Sequence, residues 1–325
     1  MKVFVTGATG FIGSHLVKRL VQTDQDVVCL VRPTSNVGPL EKLGVHLSVG
    51  DVTKKDTVAE GMRGCDWAVN LANVYSFWEP DKSTYSRINI EGTRNVMAAA
   101  LETSVAKVVH ISTYGTFGKP VECPFTEDCA VVPLFASEYT RTKYAGDQIV
   151  WDYHDKHGLP LVVVHPCVVI GPGDTQATGQ YIRDFIQRRL PATLFEDTQY
   201  TYVHVKDVAE AIVKVLEKPD NIGQKYIIGK HRMSIGQINQ LLNEITGAPI
   251  PRLRIPGFLA TITAAFCTLV ANLTKKPPPW GMCSDQIRSM KESIVAEGSK
   301  AETELGIEYT PVRIAIEEMV ASFQG

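Results

Sequence analysis

A doubly wound α/β fold, a parallel sheet with a smaller, mostly helical C-terminal lobe, is what this sequence predicts, and three observations carry the expectation. Apolar runs of strand length alternate with stretches of helical period through the first two thirds of the chain, the pattern of β-α-β units. The first strand, Lys2 to Thr6, is joined to the first helical pattern (Phe11, Ile12, Leu16, Leu20) by a turn holding Gly7, Gly10 and Gly13. The length of 325 residues suits one large α/β unit or a large domain with a smaller one attached.

Each element follows from its own residues. The β-branched and aromatic run at Lys2 to Thr6 reads as a buried strand. The glycines after it let the backbone approach an anion, which the free N–H groups of the helix N-terminus would receive. That is a pyrophosphate cradle, here spaced G-x-x-G-x-x-G. Further strands are predicted at Val27 to Val31, Val45 to Val49, Trp67 to Leu71, Lys107 to Ile111 and Leu161 to His165, with helices near 12–22, 55–62, 84–102 and 137–156. Six strands after such a cradle make a Rossmann-type nucleotide fold, whose crevice lies at the carboxyl ends of the strands. Later, Tyr202 to Val205 and Lys225 to Ile228 read as short strands flanking a helix near 207–217. Ser234-Ile-Gly-Gln237 is a capping box opening a helix to about 246, and Thr310-Pro311 opens the last helix. The dinucleotide-binding domain is expected over 1–171, with 201–229 returning to it, and a substrate lobe over 172–200 and 230–325.

Hydrophobic residues make up 44% and charged residues 21% of the chain, an ordinary soluble composition. A net charge of -2 with interspersed signs and no Lys/Arg run leaves no footprint for nucleic acid. The seven cysteines (29, 65, 123, 129, 167, 267, 283) include no C-x-x-C pair and no His/Cys cluster of metal-ligand spacing. They read as reduced thiols of a cytoplasmic protein without a bound metal. A first strand at residue 2 leaves no room for a secretory leader. Gly257 to Leu273 is uncharged and is followed by Lys275, Lys276 and Pro277 to Pro279. It is short for a span and carries four threonines or asparagines, so it reads as a buried helix of the second lobe or a lid on its pocket. Peripheral membrane contact through 257–273 is the alternative.

Chemistry-bearing residues gather around Tyr139 and Lys143. They stand four apart in a predicted helix, so their side chains share one face. That helix follows a strand ending in Ser112-Thr113, which puts a hydroxyl into the crevice of the dinucleotide fold. Together these suggest a proton-transfer site: Lys143 lowers the Tyr139 pKa, Tyr139 gives or takes the proton, and Thr113 holds the substrate oxygen. Hydride chemistry would belong to the cofactor. At the end of the second strand, Leu30-Val31-Arg32-Pro33 lacks the acidic residue that accepts from a ribose 2′-OH. Arg32 instead suits a 2′-phosphate, which favours NADP(H) over NAD(H).

The glycine pattern, Asp51-Val52, Asn70-Leu-Ala-Asn73, Asn89-Ile-Glu-Gly-Thr-Arg-Asn95, Ser112-Thr113, Tyr139-x-x-x-Lys143, Gly171-Pro-Gly-Asp174 and Tyr202-Val-His-Val-Lys-Asp207 resemble, in order, those of an extended short-chain dehydrogenase/reductase of the epimerase/dehydratase type. Within that group, Ala72 to Trp78, Asn89 to Asn95 and Thr-Lys-Lys-Pro-Pro at 274–278 are most similar to hopanoid-associated sugar epimerases, themselves similar to dihydroflavonol 4-reductases. The resemblance implies that Tyr139 is the general acid/base, that Lys143 binds the nicotinamide ribose, and that Thr113 is the catalytic hydroxyl with Ser112 as its neighbour. It implies that Gly7, Gly10, Phe11 and Ile12 lie against the pyrophosphate, Asp51 and Val52 against adenine, and Ala72 beside the ribose. Pro166 and Val168 are implied as further cofactor contacts, and a homodimer is implied as the assembly.

Tyr114-Gly115 follows Thr113 where dehydratase relatives carry an acidic pair, which disfavours dehydration. Tyr200 stands where nucleotide-sugar epimerases usually carry a phosphate-binding arginine, and no other arginine lies between Arg189 and Lys206. The candidate pocket residues Tyr75, Phe77, Trp78, Tyr114, Phe117, Cys167, Val168, Tyr181 and Phe258 point to an apolar or aromatic carbonyl substrate. The expectation is an NADP(H)-preferring oxidoreductase of a small-molecule ketone or aldehyde. An NAD-dependent sugar 4-epimerase and a non-catalytic NAD(P)-sensing protein are the alternatives.

Overall fold

Val3 to Val5, Val108 and Val109, and Leu161 to Val164 are fully buried in the computed structural model, which describes residues 1–323. Burial on both faces is what a parallel sheet covered by helices requires. The strands are β1 (Lys2–Thr6), β2 (Asp26–Val31), β3 (His46–Val49), β4 (Trp67–Asn70), β5 (Lys107–Ile111), β6 (Leu161–Pro166), β7 (Val168–Ile170), β8 (Gln199–His204), β9 (Lys225–Ile228) and β10 (His231–Ser234). A seven-stranded sheet has the order β3-β2-β1-β4-β5-β6-β9, every pairing parallel. This is a Rossmann-like arrangement, and the strand order reverses between β1 and β4, which opens a crevice at their carboxyl ends.

One face of the sheet is covered by the helices Phe11–Gln22 and Val205–Glu217, the other by Lys55–Met62, Thr93–Thr103 and Glu138–His157. The helix predicted over 84–102 is interrupted by a π turn at Ser86–Gly92. There Asn89 turns inward: its Oδ1 accepts from the Val74 N–H at 2.8 Å, and its Nδ2 donates to the Thr142 hydroxyl at 3.0 Å. Such widened turns accommodate a side chain that an α-helix would point elsewhere. Gly146 lets the Glu138–His157 helix close on this turn, since a Cβ there would lie 2.6 Å from the Asn89 carbonyl oxygen. The loop after β4 and the helix carrying Tyr139 are thereby fixed to each other.

The later chain builds a helical C-terminal region. β8 pairs parallel with β7 and antiparallel with β10 in a separate small sheet. Of the stretch 201–229 expected to return to the main domain, the helix Val205–Glu217 packs on Phe11–Gln22 and β9 edges the main sheet, whereas Thr201 to His204 lie in the small one. Helices Ala177–Ile186, Ile235–Thr246 and Val312–Ser322 share a second core around Ile182, Phe185, Leu242 and Met319. Ser234 and Gln237 form the expected capping box. Residues 324–325, the end of the expected lobe, lie outside the described residues.

The buried helix expected at 257–273 is not what forms. Gly257–Thr274 is helical, but it buries only Ala260, Ala264 and Ala271 and turns its large apolar side chains outward. Sequence periodicity could not anticipate this, because the helix is apolar all round and its partner face is chosen by small side chains rather than large ones.

Candidate active site

A cavity of about 620 Å³ crosses the carboxyl ends of the strands, from Arg32, Ser35 and Asp51 after β2 and β3 to Tyr181, Tyr200 and Met290 in the C-terminal region. That is the size of an ordinary small-molecule site. Its floor is the turn after β1. Gly7 has φ 71°, and a Cβ on it would lie 2.8 Å from the Leu71 carbonyl carbon. A Cβ on Gly13 would lie 2.1 Å from the Gly7 oxygen. Gly10 starts the Phe11–Gln22 helix without a side-chain cap, and the first helical bond is from Ser14 N–H to Gly10 O at 2.9 Å. The N–H groups of Phe11, Ile12 and Gly13 precede that bond and line the cavity. A cradle that only glycine fits, with uncapped donors at a helix N-terminus, fits a dinucleotide pyrophosphate.

At the centre, Tyr139 meets Tyr75 edge-on with ring centroids 4.9 Å apart, and its hydroxyl faces the Thr113 hydroxyl. Thr113 Oγ1 accepts from the Gly115 N–H at 3.3 Å, which leaves the threonine's own hydrogen available to donate. Burial pushes the Tyr139 phenol well above its usual range, Tyr75 and Asp147 add to the rise, and the Thr113 bond opposes it. The expectation that Lys143 lowers this pKa is therefore corrected. Lys143 is buried behind the cavity wall, not in it, and its ammonium donates to the Ile111 carbonyl at 2.7 Å.

Behind these residues runs a buried polar chain. The Thr6 hydroxyl donates to Asn70 Oδ1 at 2.8 Å, so the Asn70 amide NH₂ faces His110 Nδ1 at 3.1 Å. His110 Nε2 then carries the hydrogen and points at Asp147 Oδ1, 3.3 Å away. Ser112 donates to the other Asp147 oxygen at 2.6 Å. Burial opposes ionisation of Asp147, but the approach of the His110 N–H and the nearby Lys143 ammonium oppose that rise, and the carboxyl is held below its usual range. His110 is pushed down to about 4 by burial and by the Lys143 charge, so it is neutral.

Of the residues expected at the site, Gly7, Gly10, Phe11, Ile12, Gly13, Arg32, Asp51, Val52, Ala72, Ser112, Thr113, Tyr139, Pro166 and Val168 line the cavity, as do Tyr75, Phe77, Tyr114, Cys167 and Tyr181. Four are not in its wall. Besides Lys143, Trp78 turns away and donates its indole N–H to Asn272 Oδ1 at 3.0 Å. Phe117 is a core side chain packed on Phe125 and His165, and Phe258 faces outward. No residue of Gly257–Thr274 reaches the wall, so that helix is not a lid. Gln286, Ser289 and Met290 close that end instead, together with Tyr200 and Tyr202. The two tyrosines were findable, since residues two apart on a strand share a face. The 286–290 segment carried no local signal.

The chain matches the profile of the family described as NAD dependent epimerase/dehydratase over residues 3–229. It is 29% identical over 330 residues to the "Putative dihydroflavonol 4-reductase" of Synechocystis sp., covering 99% of this chain and 94% of that protein. It is 29% identical over 329 residues to sterol demethylase protein B of Methylococcus capsulatus, covering 100% of this chain and 98% of that protein. Among solved structures, gox2253 superposes with a TM-score of 0.84 at 31% identity, covering 99% of this chain and 97% of that one.

Lys143 supplies a pH test of the buried charge arrangement. Burial pushes its pKa down from 10.5 to about 8, with Asp147 opposing the fall. Between those two values the unfolded chain binds the proton and the folded one does not, so stability rises with pH. Below about 8 both states bind it, and the full penalty of burying the ammonium is present. Lys143→Met removes this dependence. In urea denaturation of the cofactor-free protein, the stability of wild type minus variant should rise by about 3 kcal/mol from pH 8 to 10.5. A difference that does not change with pH would contradict the burial of an ionisable Lys143.

Proposed function

This chain belongs to the NAD dependent epimerase/dehydratase family, as an NAD(P)-dependent enzyme of the extended short-chain dehydrogenase/reductase class, and on that premise we propose that it is an NADP(H)-preferring reductase of an apolar or aromatic ketone or aldehyde. The character of the cavity wall carries this. Among the described residues, Arg32 is the sole cationic side chain in the wall, and it stands at the β2 end, far from the C-terminal region. The opposite end is formed by Tyr75, Phe77, Tyr114, Tyr181, Tyr200, Tyr202 and Met290, with Asp174 as its one charged group. A sugar diphosphate would bring two negative charges to a surface with no cationic partner for them, whereas a neutral carbonyl compound brings no charge that needs one.

The geometry supports the following roles. A nicotinamide held there would supply the hydride. Tyr139, kept protonated by burial, would donate its proton to the carbonyl oxygen, and Thr113 would donate a hydrogen bond to the same oxygen. Lys143, one helical turn from Tyr139, holds the Ile111 carbonyl at the end of β5 and so steadies the segment that carries Thr113. Asp147, one turn further, supplies the counter-charge that keeps Lys143 protonated. Arg32, exposed at the end of β2 with the Ser35 hydroxyl accepting from its backbone N–H at 3.2 Å, offers its guanidinium to a 2′-phosphate.

Two substitutions test the assignment. Tyr139→Phe should lower kcat for ketone reduction by at least about a hundredfold while NADPH binding, followed by fluorescence titration, stays within a few fold; retention of more than a few per cent of turnover would sink the proton-donor role. Arg32→Asp should lower the ratio of kcat/KM with NADPH to that with NADH by at least about tenfold. An unchanged ratio would remove Arg32 from cofactor choice.

A further inference from the structure

We propose that the Gly257–Thr274 helix seats this protein on an anionic membrane surface, lying in the interface with its apolar face among the lipid chains. The helix is inverted relative to a soluble one. Ala260 and Ala264 pack on Ile287, and Thr268 Oγ1 accepts from the Ser284 N–H at 2.9 Å, so the inward face is made of small side chains. The outward face carries Phe258, Ile262, Phe266, Leu269 and Leu273, spaced four, four, three and four apart, in one stripe. These side chains are 65, 64, 66, 57 and 76% exposed, where a soluble helix shows charged and polar groups.

The surroundings name the occupant. The helix holds no charged residue, and basic groups flank both of its ends: Arg252 and Arg254 before it, Lys275 and Lys276 after it. Arg254 pairs with Glu196 at 3.0 Å, while Arg252, Lys275 and Lys276 form no ion pair among the described residues. Glu79 and Asp81 lie beside the Lys275 end, where the Lys275 ammonium donates to the Pro80 carbonyl at 3.3 Å. Trp280, also exposed, adds an amphipathic ring beyond the second end. An uncharged stripe with cations at its two ends is complementary to lipid chains below anionic headgroups. It is not complementary to a second copy: a two-fold axis would lay the basic end of one helix against the basic end of the other. At 18 residues the helix is about 27 Å long, just short of a hydrocarbon core, and its inner face is held by Ser284–Lys291 and by Trp78. It therefore lies on the membrane and does not span it. The Ser284–Lys291 helix behind it carries Gln286, Ser289 and Met290 of the cavity wall, so the docked face and the far end of the cavity share one helical pair.

Flotation of the purified full chain with vesicles tests this. The protein should float with vesicles of equal parts phosphatidylcholine and phosphatidylglycerol, and less with phosphatidylcholine alone. The double substitution I262Q/F266Q should lower partitioning at least about tenfold without moving the urea midpoint. K275E/K276E, which leaves the apolar face intact, should abolish the preference for the anionic vesicles. A wild-type protein that floats with neither vesicle, or an I262Q/F266Q protein that floats as wild type does, would overturn the proposal. So would a dimer in sedimentation that I262Q/F266Q dissociates while wild type ignores vesicles, because the stripe would then bind a second copy. If I262Q/F266Q does not fold, an unaltered lipid preference in K275E/K276E is the overturning result.

Discussion

Asp147 is the group on which the placement of the site depends. Its carboxylate is nearly inaccessible to water, yet it is held ionised by Ser112 at 2.6 Å and by His110 at 3.3 Å. Through His110 it reaches Asn70 and then Thr6, so one buried chain ties the Glu138–His157 helix to the ends of β5, β4 and β1. A buried carboxylate is stable only if every partner stays in place. That requirement fixes the helix at one height relative to the sheet and sets Tyr139, two turns before Asp147, over the crevice. Lys143, between them, is tolerated as a buried cation because the same carboxylate opposes its deprotonation.

The other constraint is close backbone approach. Gly7 and Gly13 leave no room for a Cβ, so the strand β1, the start of its helix and the segment after β4 meet at distances that only glycine permits. The uncapped donors that result face the cavity from below. Two ends of unlike chemistry then diverge from one centre: Arg32, Ser35 and Asp51 on the β2 and β3 side, and a tyrosine-rich apolar wall on the other. The first carries a cationic side chain, and the second carries none. The proposal of a reductase of apolar carbonyls rests on that asymmetry more than on any single residue.

Much of this was legible in the sequence because it is carried by short-range periods. Tyr139 and Lys143 four apart, Thr113 at a strand end, and glycines three apart are local patterns with a physical meaning, and six strands of the seven-stranded sheet follow from alternating runs, with β9 joining as its edge. What sequence could not show depends on three-dimensional neighbours. Trp78 was expected in the pocket and instead bonds Asn272, far along the chain. Lys143 lies on the expected helix face, but the Ile111 carbonyl captures its ammonium, so the lowered tyrosine pKa expected from it is overridden by burial. The helix at 257–274 gave the correct length and the wrong environment. Its alternative, contact with a membrane, is the one that exposed phenylalanines and inward alanines favour. Asn89 belongs to a local motif, but its inward turn and the π turn around it are set by distant partners, the Val74 backbone and the Thr142 hydroxyl.

The central claim is net reduction of an apolar carbonyl with hydride from the nicotinamide. It is tested most directly by supplying NADPH deuterated at the transferable C4 position together with a panel of aromatic and alicyclic ketones, and following product by mass spectrometry. The account predicts one deuterium on the carbinol carbon of the product for each NADPH oxidised. Inversion of a nucleotide sugar at C4 with the cofactor returned to its starting redox state, and no labelled alcohol from any ketone, would contradict it.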